Sequence, residues 1–429
     1  MAEAGSKQKK KVSMIAREYY NILFSQFFRL ICLLYRKDHG FSDNEIVIGF
    51  SSAWHGGNIK GIIDAFVKEK ELIKKHNICI YFTSPNKEQV AYAKSQGITA
   101  YWWHDLAAIS IFSKTKVFVC SHGESYIPVS RRISIKDFFL DVIGEFGRKL
   151  SFKRTDFTGK GFAVKRFELW HGIPFKDVYI DKIPIPPDIF VVSSEFMKKS
   201  YSAKGYDLNI FKITGLPRND ILFKKIDKKM IFSKLDIPMG KKIVLYAPTW
   251  GHYTNMGLFP WNDWKDTLLL LDKFADENGN VHFIIRTHKY WEGTESSQVD
   301  EVLQKCKNIS WVSMDVFPDT YSLLNLTNIL ITDWSSIAFD FMLKKCPIIF
   351  IDRPNPYKKF CFTPEERAGA VVKTYDELEK TIGDSLKNPS KFIKKYAPNF
   401  YSVLDKAFLY KDRKASERCI KELVKLLKN

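Results

Sequence analysis

Short apolar runs alternate, over most of the chain, with longer stretches in which apolar residues recur every three or four positions. Ile46-Val47-Ile48-Gly49-Phe50, Ile78-Cys79-Ile80-Tyr81-Phe82, Val117-Phe118-Val119-Cys120, Phe167-Glu168-Leu169-Trp170 and Ile189-Phe190-Val191-Val192 make a first series. Unbroken runs rich in β-branched and aromatic residues are the pattern of strands covered on both faces. Helices are predicted between them, over 59–75 and 86–96. A second series follows Asp220: Lys242-Ile243-Val244-Leu245-Tyr246, His282-Phe283-Ile284-Ile285, Asn328-Ile329-Leu330-Ile331-Thr332 and Pro347-Ile348-Ile349-Phe350-Ile351. Alternating strand and helix predicts an α/β fold with parallel sheets. Two series predict two Rossmann-like domains facing a central cleft, divided in the Lys-rich stretch 222–240. The last helix, over 414–428, is amphipathic and has either lobe to pack on.

Two apolar stretches fall outside this alternation. The first runs from Tyr19 to Tyr35 and is broken by Ser25, Gln26 and Arg29, so it lacks the roughly 20 apolar residues of a membrane span. Lys7, Lys9, Lys10, Lys11, Arg17, Arg29, Arg36 and Lys37 surround it. A basic, aromatic amphipathic helix lying in a membrane interface fits that pattern; packing on the protein's own core is the alternative. No small-residue cleavage site follows, so a secretory signal is not read. In the second stretch Phe138, Phe139, Val142, Ile143, Phe146 and Leu150 recur at helical spacing between basic flanks (Arg131, Arg132; Arg148, Lys149, Lys153, Arg154). Periodicity leaves open whether that stripe faces lipid or protein.

Charge narrows the partners. Lys+Arg 67 against Asp+Glu 48 gives the 429 residues a formal charge of +19, which points to nucleic acid, anionic lipid or phosphate-rich substrates. The basic residues gather at the two apolar stripes and in strand-end loops, not on a basic helix or an aromatic sheet surface, so nucleic acid is not expected. Seven cysteines without a CxxC pair exclude a disulfide scaffold and a zinc ribbon, and a reduced setting is the default.

Candidate chemistry sits where the predicted strands end, which is where open α/β sheets bind ligands. Trp170-His171-Gly172-Ile173-Pro174-Phe175-Lys176 follows a strand; Gly172 and Pro174 force a turn that presents His171, an imidazole able to take a proton from an alcohol. A structural His bonded to a carbonyl is the alternative. Arg286-Thr287-His288-Lys289 follows another strand and is either a phosphate clamp or a solvated basic loop. Thr332-Asp333-Trp334-Ser335-Ser336-Ile337-Ala338-Phe339-Asp340 leaves a strand and opens a helix, with Asp333 able to cap, Ser335 and Ser336 aimed at an anion, and Asp340 placed to orient them or bond a hydroxyl. Gly215-Leu216-Pro217-Arg218-Asn219-Asp220 and Tyr246-Ala247-Pro248-Thr249-Trp250 end two further strands, and His55-Gly56-Gly57-Asn58 precedes the first helix of the series. There is no GxxxxGK[ST] loop, no HExxH, no Asp-x-Asp pair and no GxGxxG after a strand, so no metal site or nicotinamide cofactor is predicted.

Taken in order, these motifs resemble those of the CDP-glycerol glycerophosphotransferases of teichoic acid and capsule synthesis. Residues 170–176 are similar to that family's WHGTPLK, 215–220 to GxPRxD, 245–250 to LYAPTW, 286–288 to RxHP and 332–340 to TDYSSxxFD, over about 45–425. The resemblance implies a GT-B fold, which with the patterns above divides the chain into a membrane-associating helix at 1–40, an acceptor and membrane domain at 41–225, and a CDP-donor domain at 226–429 with a terminal bridging helix. It implies peripheral attachment to the cytoplasmic face of a bacterial plasma membrane. The implied reaction is transfer of polyol phosphate from CDP-glycerol, or a related CDP-polyol, to a lipid-linked glycan acceptor, releasing CMP, with no cofactor. His171 is then the base and His288 a contact to donor phosphate. Arg218, Thr249, Arg286, Asp333, Ser335, Ser336, Asp340, Gly172 and Lys176 are implied to bind substrate. Ile173, Phe175, Lys289 and Trp334 depart from the family's Thr, Leu, Pro and Tyr, which bears on acceptor and polyol identity. A CDP-ribitol enzyme and a nucleotide-sugar transferase on the same fold are the competing readings.

Deleting residues 1–37 is expected to release the protein from anionic liposomes in a flotation assay while its thermal unfolding stays cooperative. Unfolding of the truncated protein would make the first apolar stretch part of the core.

Overall fold

The computed structural model describes residues 31, 32, 35, 45–103, 105–121, 164–177, 186–202, 206–249, 259–261, 263–287, 296–314, 316–354, 357 and 359–428. Most of the predicted interfacial helix, and the whole of the 131–154 stripe, lie outside them. Among the described residues no helix is long and apolar enough to cross a membrane.

Among the described residues there are two parallel sheets. The first holds β1 (Ile46–Ser51), β2 (Ile78–Ser84), β3 (Ala100–Trp102), β4 (Thr115–Cys120), β5 (Lys165–Glu168), β6 (Ile189–Val192) and β7 (Phe211–Ile213), in the order β3-β2-β1-β4-β5-β6-β7. The second holds β8 (Lys242–Tyr246), β9 (Val281–Ile285), β10 (Ile309–Trp311), β11 (Thr327–Thr332), β12 (Ile348–Ile351) and β13 (Ala370–Val372), in the order β10-β9-β8-β11-β12-β13. Both orders reverse at one point, between β1 and β4 and between β8 and β11. Such a switch point opens a crevice beyond the strand ends.

The apolar runs became the central strands. Four strands had no such run: β3, β7, β10 and β13, each at a sheet edge. An edge strand is short and half covered, so mixed segments such as Phe211-Lys212-Ile213 suffice. The helix predicted over 59–75 is two helices, Gly57–Phe66 and Lys70–Lys75. The first buries Ile59, Ile62, Ile63 and Phe66; the second buries nothing, so no stripe holds the axis straight beyond Phe66. The strand expected over 167–170 ends at Glu168, because Trp170 takes φ +54 and leaves the sheet.

One apolar cluster spans both sheets. It runs from Ile48 and Phe50 through Phe175 to Phe339 and Phe350. Phe175 belongs to the loop after β5 but lies among side chains of the second sheet's elements, with ring centroids 4.6 Å from Phe339 and 5.8 Å from Trp334. Backbone bonds from Cys361 N to Phe175 O (2.8 Å) and from Asp177 N to Lys359 O (3.0 Å) hold it there. The chain then returns: Ala415–Lys428 packs on Gly57–Phe66 of the first sheet's layer. Its first N–H groups, from Ala415 and Ser416, each donate to Asp220 at 2.9 Å, the role of a helix cap.

Gly61 lets the segment Pro217–Phe223 lie directly on Gly57–Phe66; a Cβ there would stand 2.7 Å from the Pro217 carbonyl. Gly61→Ala is therefore expected to destabilise the fold by about 1–3 kcal/mol, as overpacking does, read as a fall in the urea midpoint at unchanged m-value.

Candidate active site

The turn after β5 is built on an unusual backbone. Trp170 has φ +54 and Gly172 φ +133. Asn58 Nδ2 donates to the Trp170 carbonyl at 2.9 Å, and the Trp170 ring packs on Phe190 at 5.3 Å. The indole in turn stacks on the imidazole of His171, centroids 4.2 Å apart. Only glycine fits at 172: a Cβ would sit 2.4 Å from Nη2 of Arg218.

His171 keeps part of its surface open to solvent. Loss of hydration first, then the Arg218 charge and Lys176, push its pKa down from 6.5 to about 4, against a hydrogen bond to the Ser121 backbone. The open face limits the dehydration, and the direction decides the chemistry: the imidazole is neutral at pH 7 and able to accept a proton.

Arg218 sits beneath this turn. Nη1 donates to the His171 carbonyl and Nη2 to Asp340 Oδ2, both at 2.7 Å. Its backbone N–H reaches Asn58 Oδ1 at 3.2 Å, and its guanidinium lies 5.1 Å over the Tyr321 ring. Tyr321 Oη donates to the same Asp340 oxygen at 3.1 Å. The ion pair is closed to water, with side chains 7% and 1% exposed. Burial pushes the Asp340 carboxyl up from its ordinary value, and Arg218 opposes that shift.

At the switch point of the second sheet, Asp333 Oδ1 accepts from Thr249 N (2.8 Å), Thr249 Oγ1 (2.5 Å) and Trp334 N (2.6 Å). Oδ2 faces Arg353 Nε at 3.4 Å. Ser335 and Ser336 are half-buried, just before the helix Ile337–Met342. Lys176 is exposed and bridges to Phe360. Among the described residues no group of His, Cys, Asp or Glu is arranged to hold a metal ion.

Beside Arg218, three more residues predicted to bind substrate turn toward protein. Arg286 turns inward, donating from Nη1 to the carbonyls of Val312, Ser313 and Phe317 (3.1, 2.7 and 2.7 Å) and from Nη2 to Thr320 Oγ1 (2.9 Å). A guanidinium satisfied by carbonyls shapes a loop and has little left for phosphate. Asp333 and Asp340 are buried against Thr249, Arg353, Arg218 and Tyr321. His288 and Lys289 lie outside the described residues. Asn58 and Tyr321 join the site although neither was predicted to bind substrate. Asn58 closes the polar His55-Gly56-Gly57-Asn58 segment after β1, a strand-end signal, whereas nothing in the local sequence marks Tyr321.

Fold and site together define an α/β protein with two parallel sheets, whose histidine turn and serine segment meet across the junction. The chain belongs to the CDP-Glycerol:Poly(glycerophosphate) glycerophosphotransferase family, which matches residues 156–425. A teichoic acid poly(glycerol phosphate) polymerase of Bacillus subtilis (strain 168) is 26% identical over 344 residues, 73% of this chain and 44% of that protein. A teichoic acid poly(ribitol-phosphate) polymerase of Bacillus spizizenii is 27% identical over 293 residues, 60% of this chain and 42% of that one. The chain thus spans less than half the length of these two relatives. The solved structure of the wall teichoic acid polymerase TagF superimposes with a TM-score of 0.66 at 18% identity, over 97% of this chain and 99% of that one, a likeness of fold.

Removing one partner of the buried pair strands the other. Asp340→Ala is expected to cost about 3–5 kcal/mol, and the double variant Arg218→Met/Asp340→Leu to recover most of it, as measured by urea unfolding.

Proposed function

We propose that this chain is a GT-B type transferase that moves glycerol phosphate from CDP-glycerol to a hydroxyl of a membrane-linked glycan or teichoic acid acceptor. The acceptor oxygen attacks the phosphorus that carries the glycerol. The anhydride bond to CMP breaks, CMP leaves with the bridging oxygen, and the hydroxyl proton passes to the imidazole of His171. His288, Ser335 and Ser336 serve the donor phosphates, where charge shifts onto the departing CMP. The basic stretches at 1–40 and 131–154 hold the enzyme at an anionic membrane surface.

One observation carries this reading: a single guanidinium joins the carbonyl of His171 to Asp340, so the neutral histidine and the serine segment are one side chain apart. Family membership supports the donor class. The ribitol name of one relative makes CDP-ribitol the second donor to try.

His171→Ala is expected to lower transfer about 10²–10⁴-fold, the usual worth of a general base, while CDP-glycerol still binds in a calorimetric titration. The acid limb of kcat/KM in the parent is expected below the ordinary histidine value of 6.5, toward about 4, because only the neutral imidazole accepts a proton. Turnover of His171→Ala near the parent's would return His171 to a structural role.

A further inference from the structure

The carboxylate of Glu168 takes no part in the proposed transfer, although it is fully buried at the edge of the histidine turn. It is the last residue of β5 and is 0% exposed. Its register partner across the sheet is Cys120, the last residue of β4. Oε2 accepts from Cys120 Sγ at 3.1 Å, and Oε1 accepts from the backbone N–H of Trp170, also at 3.1 Å. A second tie joins the same two strand ends, Leu169 N donating to Cys120 O at 2.7 Å.

Trp170 is where the chain leaves the sheet, with φ +54. A bulky non-glycine residue holds that conformation only when its surroundings over-determine it. The ring side is fixed by Phe190 and the carbonyl by Asn58. The N–H is fixed by Glu168. Because the Trp170 ring lies against the imidazole at 4.2 Å, the direction of the Trp170 backbone sets where His171 stands. A side chain with two oxygens suits this place, since the Cys120 thiol and the Trp170 N–H both donate to it.

We propose that Glu168 is a positioning residue for His171, fastening the left-handed turn to the end of β4 so that the imidazole meets the acceptor hydroxyl. This inference rests on the reading of His171 as the base. A displacement of about 1 Å at a reacting group costs on the order of 10²-fold in rate, which sets the size of the effect.

The test is steady-state CMP release from CDP-glycerol with a lipid-linked glycerol phosphate primer, comparing the parent with Glu168→Ala, Glu168→Leu, Glu168→Gln and His171→Ala. Glu168→Ala is expected to lose about 10²-fold in kcat with KM for CDP-glycerol unchanged, because the donor side is untouched. Glu168→Leu, which fills the space while removing both acceptors, is expected to match it and replaces it if the alanine variant does not fold. Glu168→Gln keeps an oxygen for the Trp170 N–H and is expected to stay within about tenfold of the parent. The inference is overturned if the alanine or leucine variant keeps the parent's kcat, or if glutamine is as damaging as either. It is equally overturned if the loss falls on donor KM. In each of these cases an inactive His171→Ala leaves the base assignment standing. An active His171→Ala removes the base assignment itself, and the two failures are thereby told apart.

Discussion

Much of the molecule is arranged around the guanidinium of Arg218. It is planar, permanently charged and closed to water, so the partners of its two terminal nitrogens come from the protein. One donor meets the His171 carbonyl and another meets Asp340. Those partners follow strands of different sheets, and Tyr321 Oη donates to the same Asp340 oxygen. A buried pair of this kind adds little net stability, because dehydration offsets the attraction. What it supplies is orientation: the charges have few other places to go. Gly172 follows from the same group, since any side chain there would collide with it.

Apolar packing makes the junction durable. Phe175 carries the histidine turn across the boundary and buries its ring among Trp334, Phe339 and Phe350. Burying a phenylalanine contributes roughly 1.5–3 kcal/mol, and backbone bonds to the segment around 359–362 add direction. The terminal helix fastens the first sheet from the other side. Asp220, two residues after Arg218, caps it, so one short segment serves both the site and the return of the chain.

On the second sheet the described charges of the strand-end motifs, Arg286, Asp333 and Asp340, are spent internally. Asp333 ties the end of β11 to the loop after β8, and Arg286 gathers the carbonyls of 312–317. Asp333 thereby shapes the loops at the switch point, and Arg286 those beyond β9 and β10. Among the described motif residues, a neutral imidazole, two half-buried serines and Lys176 are left facing outward. The proposed transfer needs placement and charge stabilisation more than covalent chemistry, and a frame of buried ion pairs and bonds under a few exposed groups answers that need.

The two series of central strands are legible in residue order alone, because a strand covered on both faces needs an unbroken apolar run. So are the order of the strand-end motifs and the turn at His171, because Gly and Pro act locally. Edge strands were not legible, since three residues with one covered flank leave no distinctive run. Which charged residues face inward was settled by long-range packing. Arg218, Arg286, Asp333 and Asp340 read alike as strand-end charges; only the fold, by bringing carbonyls and counter-charges from distant segments, turned each toward protein. It alone decided that Trp170 leaves the sheet early and that Glu168 lies beneath it, because the carboxylate's partner Cys120 is a neighbour across the sheet and not along the chain.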